Sequence, residues 1–227
     1  MTTTPLPSDH PSPTTERKAA RVTNHWPWIS GVGVLVLAVL LGIVVTVRGA
    51  QTFEIDADWM EELIEHRSPL WEVPSLVMNF VGGGWFSVFV VPVLTVAAFL
   101  IARRRWAAFY YAVATVVSVA IVQLLKNLFD RARPEDILVT SDFGSFPSGH
   151  VANAATIAVT LAILVPRLWV WIAGAAYVIL MLLSRTYLGA HWLTDTIGGL
   201  LIGAAVGVIV WAPFAHQLVL ERKALTR

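Results

Sequence analysis

Long apolar runs, each broken by a few polar or charged residues, dominate the chain from residue 28 to residue 211. A bilayer core of about 30 Å takes roughly 20 apolar residues per helix. The runs predict six membrane-spanning helices, over 28–47, 85–102, 106–129, 150–165, 169–187 and 192–211. The fourth is the shortest and is expected to follow a loop lying at the membrane surface. Residues 51–68 set Glu54, Asp56, Asp58, Glu61, Glu62 and Glu65 among Phe53, Ile55, Trp59, Met60, Leu63 and Ile64. That pattern predicts a partly amphipathic surface helix. Residues 70–81 are apolar but too short to span, and Gly82, Gly83 and Gly84 separate them from the second span, so a re-entrant or interfacial piece is expected there.

Outside the spans the pattern changes. Residues 1–24 are rich in Thr, Pro and Ser without apolar periodicity and are expected to form a disordered tail. Residues 25–215 form one transmembrane domain, and 216–227 a short C-terminal tail. Arg17, Lys18 and Arg21 precede the first span as they would a signal peptide, but the apolar run is too long for one. The Ala-ending candidate site around 48–50 places an arginine where a small residue is needed, so the span is expected to be an uncleaved anchor. Lysine and arginine bias sets the orientation. With the N-terminus inside, the cytoplasmic face collects Arg17, Lys18, Arg21, Arg103, Arg104, Arg105, Arg167, Arg222, Lys223 and Arg227. Both termini are then cytoplasmic.

Composition agrees. The chain is 56% hydrophobic and 14% charged, against about 25% charged in a soluble domain. A net charge of +1 offers no bulk attraction to nucleic acid, and the absence of cysteine excludes disulfides and thiolate metal sites. Ten tryptophans fit an interfacial belt. Gly199, Gly203 and Gly207 recur every four residues in the last span, a small-residue stripe expected to serve packing within the chain.

This topology brings Lys126, Arg133, His150, Arg185, His191 and Asp195 to one membrane face, the outer one. Charge near hydrocarbon costs on the order of 2.5–3.5 kcal/mol per group, so such residues pair or bind something. Asp130, Glu135, Asp136 and Asp142 could neutralise part of the charge, but three cations beside two histidines suit an anion such as phosphate. Lys126 and Arg133 are two helical turns apart and share a face if the helix continues to Pro134, although a proline disfavours helix at the residue before it. Ser148 is placed to cap the fourth helix, whose free first-turn amides form an anion site, and Gly149 permits close backbone approach. His191 and Asp195, four apart, are expected on one helix face, where the carboxylate would fix the tautomer of an imidazole nucleophile. His150, from another helix, can act as general acid.

Lys126-x6-Arg133-Pro134, Pro147-Ser148-Gly149-His150 and Ser184-Arg185-x3-Gly189-x-His191-x3-Asp195 together resemble the three-part signature of the type 2 phosphatidic acid phosphatase superfamily, a group of membrane lipid phosphatases related to bacterial acid phosphatases and vanadium haloperoxidases. The resemblance spans residues 126–195 and implies an all-α, six-helix membrane bundle. It implies His191 as the nucleophile forming a phosphohistidine, Asp195 as its orienting partner and His150 as general acid. Lys126, Arg133, Arg185, Ser148 and Gly149 would then bind the phosphate, with no metal or other cofactor. The implied substrate is a membrane lipid phosphate or pyrophosphate, of the undecaprenyl pyrophosphate, phosphatidylglycerol phosphate or phosphatidic acid type, hydrolysed at the outer face of the cell membrane. A phosphatase for soluble esters and a catalytically silent lipid-binding or transport relative are the alternatives.

Overall fold

A computed structural model describes residues 13–48 and 52–225. Half of the expected N-terminal tail, residues 1–12, lies outside these. The described residues form helices joined by loops, with no strand: α1 (Pro13–Val47), α2 (Glu54–Glu65), α3 (Pro69–Gly82), α4 (Val91–Ile101), α5 (Arg105–Phe129), α6 (Gly149–Leu164), α7 (Leu168–Tyr187) and α8 (Leu193–Leu225). A π-helical turn, Phe86–Val90, leads into α4.

Two boundaries differ from the sequence reading. The first helix starts at Pro13, inside the segment expected to be a tail. At the other end, residues 216–225 are the last turns of α8 and not a tail. The reason is packing. The Glu221 carboxylate accepts the free backbone N–H groups of Trp106 and Ala107 at the start of α5, at 2.7 and 3.2 Å. A helix start leaves such donors unsatisfied, and an acid there is favoured.

Four helices are long and apolar enough to cross a membrane: His25–Val47 within α1, α5, α7 and α8. The α3 and α4 segments pass the same test only as a pair bent by 47° at the Gly82–Gly84 break, which makes up to five spans by length and composition. At 16 residues α6 is short, as expected from its sequence. Their outward faces are apolar: Val116 is 69% exposed, Leu124 66% and Ile179 57%. An apolar exterior over an apolar interior is the distribution required by a hydrocarbon solvent.

The α6 helix packs against α5, α7 and α8, and α1 lies along α8. Tyr110, Phe146, Leu164 and Ile202 fill the core with no exposure of Phe146, Tyr110 or Ile202. The glycine stripe faces α6. A Cβ on Gly199 would stand 2.4 Å from the Ser148 carbonyl oxygen, and one on Gly203 2.2 Å from that of Ala152. These distances fall below contact with backbone that cannot swing away, so the stripe serves packing within the chain. Replacing Gly203 by leucine is therefore expected to prevent folding of the bundle. The check is loss of the monodisperse detergent-solubilised protein in size-exclusion chromatography, whereas Gly33→Leu, with open space around it, leaves the profile unchanged.

Candidate active site

The C-terminal ends of α5 and α7 meet the N-terminal ends of α6 and α8 at one pole of the bundle. There α5 stops early. Asp130 adopts a left-handed conformation (φ 39) and caps the helix by donating its N–H to the Lys126 carbonyl at 3.0 Å. The helix thus ends at Phe129, and Arg133 does not share a helical face with Lys126 as their spacing allowed. The two cations meet through the loop instead. Lys126 Nζ donates to the Gly144 carbonyl at 2.8 Å and to Asp142 Oδ1 at 3.1 Å. Arg133 donates to the same two oxygens, at 2.8 and 2.7 Å, and to the Ala190 carbonyl at 2.5 Å. Of the four acids noted as possible neutralisers, Asp142 is the one on these cations. Its side chain is 62% exposed while Lys126 is buried, so an exposed carboxylate rests on a buried cation.

His191 departs from the expected geometry. It precedes α8, in the bend after α7, so His191 and Asp195 do not share a helix face. Gly189 makes that bend: its φ is +65°, and a Cβ there would stand 2.2 Å from the Asp136 carbonyl oxygen. The four-residue spacing reflects helix capping instead. From the first turn of α8, Asp195 Oδ2 reaches back to accept the Trp192 N–H at 2.9 Å, as the acid of a capping box does. Its carboxylate also accepts from Ser145 Oγ and from Arg131, each at 2.5 Å. His191 Nδ1 lies 2.8 Å from the Ser145 carbonyl oxygen but 3.8 Å from Asp195 Oδ2. The shorter contact is the hydrogen bond; the longer one is electrostatic only. A carbonyl oxygen only accepts, so Nδ1 carries the proton and Nε2 keeps its lone pair. Nε2 faces Arg133 at 3.4 Å.

His150, in the first turn of α6, places Nε2 3.3 Å from the Asn79 carbonyl oxygen. The Asn79 side-chain oxygen accepts from Arg185. This asparagine from α3 therefore links two site residues. Its signal in the sequence is a lone amide in an apolar run, which the sequence reading passed over along with Ser145, Arg131 and Asp56. Ser148 occupies the N-cap position of α6 as expected, but its hydroxyl makes no capping bond. The Ser148 hydroxyl and the Arg185 Nε are buried without partners. Lys126, Gly149, His150, Arg185 and His191 line one cavity of about 300 Å³. Unpaired buried donors are costly, and Arg185, with its Nε unpaired, lines this cavity together with Lys126 and Asp142.

Burial pushes the His191 imidazole well below its ordinary pKa, and Arg185, Arg133 and Lys126 push the same way. These influences all favour the neutral imidazole. Burial alone would raise the Asp142 carboxyl; the charge and hydrogen bond of Lys126, with Arg133, bring it below its usual value.

The PAP2 superfamily model matches residues 107–217. A putative undecaprenyl-diphosphatase of Escherichia coli is 34% identical over 144 residues, covering 57% of this chain and 70% of that protein. The chain belongs to the PAP2 superfamily. An undecaprenyl-diphosphatase of Sulfolobus acidocaldarius is 29% identical over 127 residues, 52% of this chain and 60% of that protein. The crystal structure of a transmembrane PAP2 type phosphatidylglycerolphosphate phosphatase from Bacillus subtilis superposes with a TM-score of 0.71 over 82% of this chain and 96% of that one, at 24% identity. Its likeness carries the fold: an all-helical, multi-pass membrane architecture of the PAP2 type. Within that family fold, the pole described above holds all eight residues that the sequence singled out.

Proposed function

We propose that this chain is an integral membrane phosphatase that removes phosphate from a lipid phosphate or pyrophosphate. The observation that carries the reading is the adjacency of two spaces. The cationic cavity of about 300 Å³ shares Val88, Val119 and Asn153 with an apolar groove of about 770 Å³ between α4 and α5. A phosphate held at the first has its apolar tail beside the second. Undecaprenyl pyrophosphate is the preferred substrate, followed by phosphatidylglycerol phosphate and phosphatidic acid; the diphosphatase relatives support this order.

In the proposed reaction Lys126, Arg133 and Arg185 hold the phosphoryl oxygens, displacing the Asp142 carboxylate, with Ser148 and the Gly149 N–H as further donors. His191 Nε2 attacks phosphorus as the bond to the leaving oxygen breaks. His150 donates its proton to that oxygen. Water then attacks the phosphohistidine, and inorganic phosphate leaves. The cations stabilise the charge of the transferring group, the role a divalent ion takes elsewhere.

Counted as α1, the bent α3–α4 pair, α5, α6, α7 and α8, the spans number six. With the N-terminus in the cytoplasm the site opens at the outer face of the cell membrane, residues 25–215 form the phosphatase domain, and both ends of the chain are cytoplasmic. The test is phosphate release by the purified protein in liposomes, from the three lipids and from glycerol phosphate. The expected result is a higher kcat/KM for the lipids, undiminished activity in EDTA and inhibition by vanadate, which mimics five-coordinate phosphorus. Equal use of glycerol phosphate would favour the soluble-ester alternative. No release from any substrate, with phosphate still bound, would favour the silent relative.

A further inference from the structure

Arg131 joins two buried carboxylates from distant parts of the chain. One of its terminal nitrogens donates to Asp195 Oδ1 at 2.5 Å and to Thr194 Oγ1 at 2.7 Å. The other donates to Asp56 Oδ2 at 2.8 Å. Asp56 comes from α2, otherwise a largely exposed helix, yet it has no exposed surface itself. It also accepts the Thr194 N–H at 2.9 Å and the Thr194 hydroxyl at 2.7 Å. Three donors, one of them a guanidinium, thus converge on its two oxygens. The Trp192 ring covers the Arg131 guanidinium at 5.6 Å.

The charge count gives this arrangement a purpose. Arg131 and Asp195 alone would cancel, leaving His191 with no net anion behind it. With Asp56 the formal charge of the unit is one negative. Around the imidazole stand the cations Lys126, Arg133 and Arg185, the carboxylate Asp142 and the second imidazole, His150. When Nε2 bonds to phosphorus, with Nδ1–H held on Ser145, the ring becomes cationic among cations.

We infer that Asp56 is a positioning residue for phosphoryl transfer, fixing Arg131 so that the Asp56–Arg131–Asp195 unit keeps one negative charge beside the His191 ring. This rests on the reading of His191 as the nucleophile. The unit itself reacts with nothing: the Nε2–P bond forms as the bond to the leaving oxygen breaks, that oxygen takes the His150 proton, and the unit stabilises the positive charge left on the ring.

Two variants of the full-length protein in liposomes test it, with two readouts. Asp56→Asn keeps the size and the acceptor for the Thr194 N–H but removes the charge. The expected kcat falls about 10–100-fold, the range for a partner that orients a reacting group, with KM unchanged. The His191 pKa, followed by 15N-imidazole NMR, moves down. Arg131→Gln leaves two carboxylates and moves it up. The Asp56→Asn/Arg131→Gln double variant restores the net charge and turns over faster than Asp56→Asn alone, whereas a purely structural pin makes the double variant the slower one. A wild-type kcat and His191 titration in Asp56→Asn, or a slower double variant, overturns the inference. Should Asp56→Asn fail to fold, an unmoved His191 titration in Arg131→Gln overturns it equally. The titration needs no turnover. Expected NMR shifts in a protein that releases no phosphate would therefore sink the proposed function and leave the charge unit standing. Unmoved titration in a protein that His191→Ala inactivates would do the reverse.

Discussion

His191→Ala is expected to reduce phosphate release by a factor on the order of 10⁴ or more, the scale at which a lost nucleophile leaves only binding and electrostatic stabilisation. No other side chain can take over. His150 is held at the Asn79 carbonyl on α6, and Asp195 is engaged at both oxygens by Arg131, Ser145 and the Trp192 N–H. The fold should survive, because the imidazole makes one hydrogen bond within the protein's backbone, to Ser145. The measurement is phosphate release at saturating lipid, paired with a thermal-unfolding midpoint that separates lost chemistry from lost structure. Wild-type release from this variant would refute the assignment. Asp195→Ala should be less severe, since Asp195 acts on the ring at 3.8 Å and the carbonyl of Ser145 still fixes the tautomer.

The same residue sets a pH dependence. In the folded protein burial and three cations hold the His191 pKa well below its ordinary value. The unfolded chain therefore binds more protons than the folded one below about pH 6.5. The contribution to stability is complete above that value and is lost as pH falls toward the folded pKa. For activity the sign is the same. The free protein keeps a neutral nucleophile into the acid range, and the acid limb of kcat/KM should bend below pH 6.5 by virtue of His191.

Arg185→Ala is the second large effect, an expected loss of about 10²–10³ in kcat, as when one preorganised donor to a developing oxyanion is removed. Arg185 is 2% exposed, and its one intraprotein hydrogen bond among the described residues goes to the Asn79 side chain, with Nε left over. A guanidinium so buried and so weakly paired is poorly used by the fold and is available to a ligand. The variant should hence unfold within a few degrees of wild type while losing activity, and its vanadate affinity should fall in parallel. Arg185→Lys should recover little, because a point charge cannot present two parallel donors to a phosphoryl group. An Arg185→Ala protein with normal turnover would remove Arg185 from the phosphate site.

The membrane character and the gathering of the eight candidate residues at one pole were legible in the chain itself. Hydrocarbon imposes long apolar runs, and charge is tolerated beside it only for a reason, so Lys126, Arg133, His150, Arg185 and His191 stand out against their surroundings. The glycine spacing of 199, 203 and 207 likewise declares a close helix approach, because only a missing Cβ lets the α6 backbone come so near. Local spacing was a poorer guide to how those residues meet. The seven-residue interval of Lys126 and Arg133 and the four-residue interval of His191 and Asp195 both looked helical. Neither pair shares a helix face, because Asp130 closes α5 early and Gly189 bends the chain ahead of α8. What only the tertiary structure decided is the set of contacts from far away in sequence. The Ser145 carbonyl accepts the imidazole N–H, Asn79 ties His150 to Arg185, and Asp56 reaches Arg131 across 75 positions. Hydrogen-bond partners are chosen by proximity in space, and the sequence encodes that proximity through the packing of the whole bundle, with no local period to read.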